Sequence, residues 1–246
     1  MYYSVGIQQT GTQEFKDLHQ AYGLIPTSRP VIAPPSPQLK FEDVPGGSGS
    51  LDLSQVLSSE INYYDRSGSL EFMFAPDVMH DNFDLKWEEV YSDLVQFLSI
   101  GRVRLWTSEN AWGESVFSSY YYEGRMTVNE WQTDKSWEKV TLDYRFDPYK
   151  YANDPFVSEW YAVESASELT LDLDVIHVSK DITHTIVPTI TLSKPMTVEY
   201  DDREYSLPSG SSRILAFVKG ADTITFKNDV STGNGVVKFS YRRSFL

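Results

Sequence analysis

Three kinds of side chain in this sequence could support chemistry: four histidines, two adjacent carboxylate pairs and a cluster of aromatic rings. The histidines are His19, His80, His177 and His184, and no two have the i, i+4 spacing with which one helix face binds zinc. His177 and His184 could approach across a turn as a metal site, with Asp172, Asp174 or Asp181 nearby. Exposed strand and loop residues of a polar sheet face are the commoner source of such a pattern. The carboxylate pairs are Glu88 with Glu89 and Asp201 with Asp202. Glycoside hydrolysis needs two acids facing each other across roughly 5 to 9 Å. Neighbours on a helix diverge by about 100°, and neighbours on a strand point to opposite faces. Both pairs therefore read as solvated charges, with Asp201-Asp202-Arg203 as a polar hairpin tip. The run GGSGS at Gly46 to Ser50 lacks the Lys-Ser/Thr ending of a phosphate loop and no apolar helix follows it, so it reads as a turn. There is no G-x-S-x-G elbow. With no cysteine, a thiolate nucleophile, a thiolate metal site and a disulfide framework are all excluded. No residue is assigned a catalytic, cofactor-binding or metal-binding role, and the chain reads as a non-enzyme. The rings Tyr120, Tyr121 and Tyr122 with Trp106, Trp112 and Trp131 could stack on sugars if turned outward. On alternating strand positions, rings more often fill a core.

The elements that would position these residues must be built from 246 residues, a length that suits two modest domains better than one large one. Hydrophobic residues at 41%, with 16 Tyr and 13 Phe, are enough for packed cores and carry the aromatic bias of strands. The formal charge is -14, split as -10 up to Lys150 and -4 after it, so neither half has the basic face that binding to phosphate backbones needs. The opening MYYSVGIQQTG has neither a basic n-region nor an apolar h-region, and no run reaches the ~18 to 20 apolar residues of a membrane span. A soluble chain made in the cytoplasm is expected, with no membrane partner and no sequence-specific nucleic-acid binding.

From Gly23 to Pro45 the sequence carries six of its twelve prolines, which predicts an extended connector on the surface. LDLSQVL and INYYDRSGSLEFMF read as strands, the latter closed into a pair around Arg66 to Gly68. Trp87, Val90, Tyr91, Leu94 and Leu98 fall on one helix face and predict a helix over about 85–100, with Asp84 as N-cap and Gly101 as its stop. The opposite face, bearing Glu88, Glu89 and Asp93, is expected in solvent. Val103 and Leu105 alternate with arginines, a polar turn follows, and SSYYYEGRMTVNEW completes a hairpin. Val140, Leu142, Tyr144 and Phe146 alternate with polar residues in the same way. After Tyr151 come six short strands at about ten-residue spacing: SELTLDLDVI, THTIVPTITLS, MTVEYDDREYSL, RILAFVKG, DTITFKND and GVVKFSYRRS. That spacing suits an all-β sandwich. The chain reads as mainly β, with one amphipathic helix.

In order and spacing these segments resemble the distal tail proteins of siphophages infecting Gram-positive bacteria. The resemblance is carried by PGGSGSLDLS at Pro45 to Ser54, YYDRSGSLEFMF at Tyr63 to Phe74, the helix before Gly101, YYEGRMTV at Tyr121 to Val128 and TLDYRFDPYKY at Thr141 to Tyr151. Towards the C-terminus it continues in PTITLS, a G-x-x-x-I-T-F step at Gly220 to Phe226 and a final SYRRSFL. The resemblance implies an N-terminal β-sandwich over 1–151 that builds a ring, and a C-terminal galectin-like or jelly-roll β-sandwich over 152–246. It further implies a homo-hexameric hub at the distal end of the tail of a virion assembled in the host cytoplasm. Such a hub joins a tail tube protein to a tail-associated tip protein and leaves a channel for DNA. DITHTIVPTI replaces an Asn-Gly turn found in many relatives, and there is no room for the long arm that some use to hold receptor-binding proteins. Attachment of such proteins is therefore not assigned. The alternative is a carbohydrate-binding module contacting host wall glycans through the C-terminal domain. Its mark would be a row of outward polar residues with an exposed tryptophan, and Trp160 is the one tryptophan after Trp137. A wall hydrolase is disfavoured for want of a suitable acid pair.

Overall fold

The computed structural model describes residues 3–56, 61–75, 86–108, 117–133, 138–172, 185–217, 223–228 and 233–246. The chain divides into two compact units, Met1–Tyr151 and Ala152–Phe245. Both are built mainly of strands.

The first unit opens with β1 (Val5–Gln9), β2 (Phe15–Asp17), the short helix α1 (Leu18–Tyr22) and β3 (Leu24–Pro26). It continues with β4 (Phe41–Asp43), β5 (Ser50–Asp52), β6 (Arg66–Phe74), helix α2 (Trp87–Ser99), β7 (Val103–Thr107), β8 (Tyr120–Thr133) and β9 (Glu138–Ala152). The main sheet has the order β2-β1-β7-β8-β9-β6-β3. Its two outermost strands, β2 and β3, are consecutive in sequence around α1. Five helical residues rise only about 7.5 Å, so the sheet must roll until its edges come near each other, and its inner face lines one core. That core takes Val5 and Ile7 from β1, Phe72 from β6, Leu105 from β7, and Val140, Leu142, Tyr144 and Phe146 from β9. The period-two pattern of β9 read from the sequence is thus the inward face of this sheet.

α1 was not expected. The Asp17 side chain accepts the His19 N–H at 2.9 Å, and Gly23, at φ 65°, takes the left-handed C-terminal position that glycine adopts most easily. Five residues carry too little periodicity to register. α2 buries Val90, Leu94, Phe97 and Leu98, while Trp87 and Tyr91, read as members of the same face, remain 38% exposed. Its N-cap is Lys86, without a side-chain bond, and its C-cap is Ile100 in the right-handed region, so Gly101 does not form the stop. Asp84 lies outside the described residues.

A second correction concerns Arg66 to Gly68, which form no turn. β6 runs unbroken through them, with Gly68 opposite Tyr144 in the register with β9. Glycine is needed there for space, because a Cβ would stand 2.6 Å from the Tyr144 hydroxyl. The proline-rich connector has no regular structure between Thr27 and Lys40 apart from a bridge at Pro37. Pro26 ends edge strand β3, where a missing donor is tolerated.

The second unit contains β10 (Phe156–Val157), β11 (Tyr161–Val163), β12 (Glu168–Asp172), β13 (Thr189–Leu192), β14 (Met196–Tyr200), β15 (Arg203–Leu207), β16 (Gly210–Ser212), β17 (Thr223–Lys227) and β18 (Gly235–Tyr241). One sheet has the order β10-β18-β13-β16 with β11 also on β18, and the other has the order β12-β17-β14-β15. Ile190, Leu192, Val237 and Phe239 from the first share a core with Val198, Ile224 and Phe226 from the second, the arrangement of a β-sandwich. Arg213 to Phe217, expected in a strand, make only the single bridge Phe217 to Ile186. The segment is anchored by burying Leu215 and Phe217 without a ladder.

Candidate functional site

Among the described residues the candidates do not converge. His19 sits in α1, while His80, His177, His184, Asp174, Asp181 and Trp112 lie outside the described residues. Asp172 ends β12 and is exposed. Glu88 and Glu89 occupy the exposed first turn of α2, where carboxylates favour the positive end of the helix dipole. Asp201 and Asp202 have φ of 51° and 57° and link β14 to β15, with Tyr200 opposite Arg203. This is the two-residue, doubly left-handed hairpin loop that acidic and amide side chains tolerate. Gly46 to Gly49 lie in the turn of the β4–β5 hairpin, with Gly46 and Gly49 at positive φ, and Ser50 opens β5 opposite Asp43.

The aromatic cluster splits. Tyr121 is buried, with ring centroids 5.1 Å from Trp106 and 5.7 Å from Tyr151. Trp131 gathers Phe74, Trp87 and Tyr91 at 5.5 to 6.1 Å and donates its indole N–H to Glu138 at 3.0 Å. Tyr122 stacks on Phe146 and carries the Arg66 guanidinium 5.3 Å from its centroid. These rings serve packing in the first unit.

Three polar assemblies join elements that lie far apart in sequence. Lys16 on β2 donates to the Tyr22 hydroxyl at 2.9 Å and to Asp93 at 3.1 Å, and the Tyr22 hydroxyl donates to Asp93 at 2.8 Å. Asp93 on α2, expected in solvent, therefore ties the helix to both β2 and α1. The Tyr22 hydroxyl holds the Asp93 carboxyl below the usual carboxylate range. Burial, reinforced by Asp93, pushes Tyr22 up to about 12. Burial opposes charge on Lys16, yet its bonds to Tyr22 and Asp93 outweigh that and raise it. In the second assembly Arg102 bonds Asp147 at 2.5 Å, and Arg104 bonds Glu123 at 3.2 Å, across β7, β8 and β9. In the third, buried Arg66 donates Nε–H to the Pro148 carbonyl at 2.7 Å and Nη1–H to the Ala33 carbonyl at 3.1 Å, while the Tyr144 hydroxyl accepts the Ala33 N–H at 3.0 Å. These bonds pin the proline connector to the sheet. Sequence spacing gives no sign of any of them.

The least satisfied feature of the first unit is the β4–β5 hairpin. Its register sets Phe41 opposite Asp52, Glu42 opposite Leu51 and Asp43 opposite Ser50, and all six residues are exposed. It stands on a narrow root in which Gln38 N–H donates to the Asn62 carbonyl at 2.7 Å and Tyr64 N–H to the Ser36 carbonyl at 2.9 Å. Asp52 accepts from both the amide and the hydroxyl of Ser54, closing an Asx turn at its end. Leu39, Phe41, Leu51 and Val56 remain 52 to 68% exposed. A two-stranded hairpin alone in water is marginally stable, and one with apolar side chains on both faces is built to be covered. A separate stripe of Trp87, Tyr91 and Val95, at four-residue steps along α2, is 36 to 38% exposed.

Comparison with known proteins places this architecture. The fold is similar, over 100% of both chains, to the crystal structure of SPP1 Dit (gp 19.1), presented as a paradigm of the hub adsorption apparatus in Gram-positive infecting phages, with a TM-score of 0.57 and 14% identity. The likeness is one of fold. It meets the resemblance read from the sequence. No protein-family model matches the chain, and no curated protein matches it.

Proposed function

We propose that this chain is a structural protein of a bacteriophage tail, a subunit of a hub at the distal end of the virion's tail rather than an enzyme. The full-length likeness of fold to a phage hub protein carries this reading. In the finer form of the proposal, six copies close into a ring, Met1–Tyr151 builds the ring and Ala152–Phe245 forms a galectin-like sandwich. The ring joins the tail tube protein to a tail-tip protein around a channel for DNA.

The exposed surfaces of the first unit support self-assembly. A ring of identical subunits needs a head-to-tail contact between two different patches. The β4–β5 hairpin supplies one and the α2 stripe of Trp87, Tyr91 and Val95 the other. The charge of -14 per copy suits a channel from which DNA must leave without sticking, since like charge repels phosphate. Light scattering after size exclusion, followed by negative-stain imaging, tests the proposal. Six copies of 28.1 kDa give a species of about 169 kDa with a central hole. A protein that remains a monomer alone and with purified tube and tip proteins overturns it.

A further inference from the structure

We propose that the outward face of the five-stranded sheet in the second unit binds an anionic saccharide polymer, one whose sugar rings carry phosphate or carboxylate groups. This site does not depend on the hub reading.

The two outer faces of this sandwich differ in charge. On the four-stranded sheet the outward residues include Glu168, Asp172, Glu199 and Glu204, with Lys227 bonded to Glu199 at 3.0 Å and to Glu204 at 3.1 Å. On the five-stranded sheet, strand alternation puts Val237, Phe239 and Tyr241 of β18 inward and Val236, Lys238 and Ser240 outward. Among the described residues no outward strand residue of that sheet is acidic, and the carboxylate nearest in sequence to Trp160 is Glu159, in the segment before β11. In a chain with 35 acidic and 21 basic residues, a set of outward strand positions with a lysine and no carboxylate is unusual and favours an anion.

One row of side chains crosses this face. Trp160, immediately before β11, is 52% exposed, and the Lys238 ammonium of β18 lies 5.3 Å from its ring centroid. Lys238 stands opposite Thr191 of β13, which stands opposite Ser211 of β16, and the two hydroxyls are bonded at 3.0 Å. Adjacent strands lie about 4.8 Å apart, so the row runs roughly 14 Å. That length suits an extended chain of sugars better than a single ring.

Each member of the row has a part in recognition. A half-exposed indole presents a flat apolar surface to the C–H face of a pyranose, and the Lys238 ammonium, lying over the ring's other face, fixes its orientation. Lys238 is in no ion pair among the described residues, so its ammonium can meet a phosphate or carboxylate without giving up a carboxylate partner. Thr191 and Ser211, one of which donates to the other, still offer one free O–H and unfilled lone pairs to sugar hydroxyls. A purely acidic polypeptide would use Lys238 and leave Trp160 idle; a neutral glycan would do the reverse.

The test measures binding of the full chain to four probes: a glycosylated glycerol-phosphate polymer, hyaluronan, a neutral chitin oligomer and poly-glutamate. The expected result is binding to the phosphate polymer, to hyaluronan or to both, the pattern identifying the source of the anion. That binding should weaken as salt is raised from 50 to 200 mM. Trp160→Ala should weaken it about tenfold. Lys238→Met should remove most of its salt dependence, and Thr170→Ala on the opposite face should leave it unchanged. Trp160 is exposed, so the variants should melt as the wild type does, which separates loss of binding from loss of fold. No binding to either anionic saccharide, equal binding to the chitin oligomer or poly-glutamate, or wild-type binding by both Trp160→Ala and Lys238→Met would overturn the proposal. None of these outcomes bears on ring formation, which is read by mass and imaging.

Discussion

Replacing Phe41 and Leu51 together with aspartate should abolish self-assembly while leaving the protomer intact. The two side chains are 55% and 58% exposed, on strands β4 and β5. Fully burying a Leu or Phe is worth ~1.5 to 3 kcal/mol, so covering the exposed share of both contributes roughly 2 to 3 kcal/mol to each contact. Losing it weakens each contact roughly 30- to 150-fold, before the added cost of desolvating two carboxylates. A closed ring suffers that loss at every junction, so assembly should collapse at micromolar concentration. The folded monomer should hardly notice: exposed substitutions stay within about 0.5 kcal/mol, or roughly 2 °C in Tm for a chain of this size. Light scattering and thermal melting on the same samples read the two effects separately. A double variant that assembles like the wild type refutes the argument that this hairpin is covered by a neighbour. One that melts many degrees lower refutes the claim that the hairpin is uncovered in the protomer.

Gly124→Ala should be severe, because a Cβ there would stand 2.2 Å from the Arg145 carbonyl oxygen and 2.5 Å from Phe146 Cα, backbone atoms that cannot swing away. We expect a loss of roughly 3 kcal/mol, or about 6 to 12 °C in Tm, read by calorimetry. Gly68→Ala, which meets the Tyr144 side chain (hydroxyl at 2.6 Å, Cζ at 2.9 Å) rather than backbone, should cost less, about 1 to 2 kcal/mol as the ring shifts and its bond to Ala33 weakens. Asp93→Ala should destabilise by about 1 kcal/mol at neutral pH, a figure kept small because the carboxylate is half exposed. Asp93 is held below its ordinary value when folded, so its contribution is fully present above the unfolded pKa near 4 and is lost as pH falls through the lower folded value. Urea midpoints of wild type and variant should therefore differ at pH 7 and converge at strongly acidic pH; a constant gap would contradict the assignment. Exchanging Asp201→Asn together with Asp202→Gly should stabilise by about 1 kcal/mol, since both positions are left-handed and Asn-Gly suits that loop best, as a rise in Tm would show.

The period-two run of Val140 to Phe146, the hairpin from Val103 onward and the α2 periodicity were legible in the sequence because each is a local pattern that burial of one face imposes on every second or every third and fourth residue. The Asp201-Asp202 tip was legible for a similar reason, as polar residues between two apolar runs. Local pattern also misled where a residue's role is set by a distant neighbour. Gly68 looked like a turn until Tyr144 occupied the space a side chain would need. Asp93 looked solvated until rolling of the sheet brought Lys16 and Tyr22 to it. Sequence alone determined that the chain is β-rich, acidic and without cysteine, with one amphipathic helix, because composition and periodicity are properties of adjacent residues. Tertiary structure alone decided that Phe41 and Leu51 stand uncovered, and that Trp160, Lys238, Thr191 and Ser211 form one row. Burial and cross-strand register depend on residues tens of positions apart, and no local spacing encodes them.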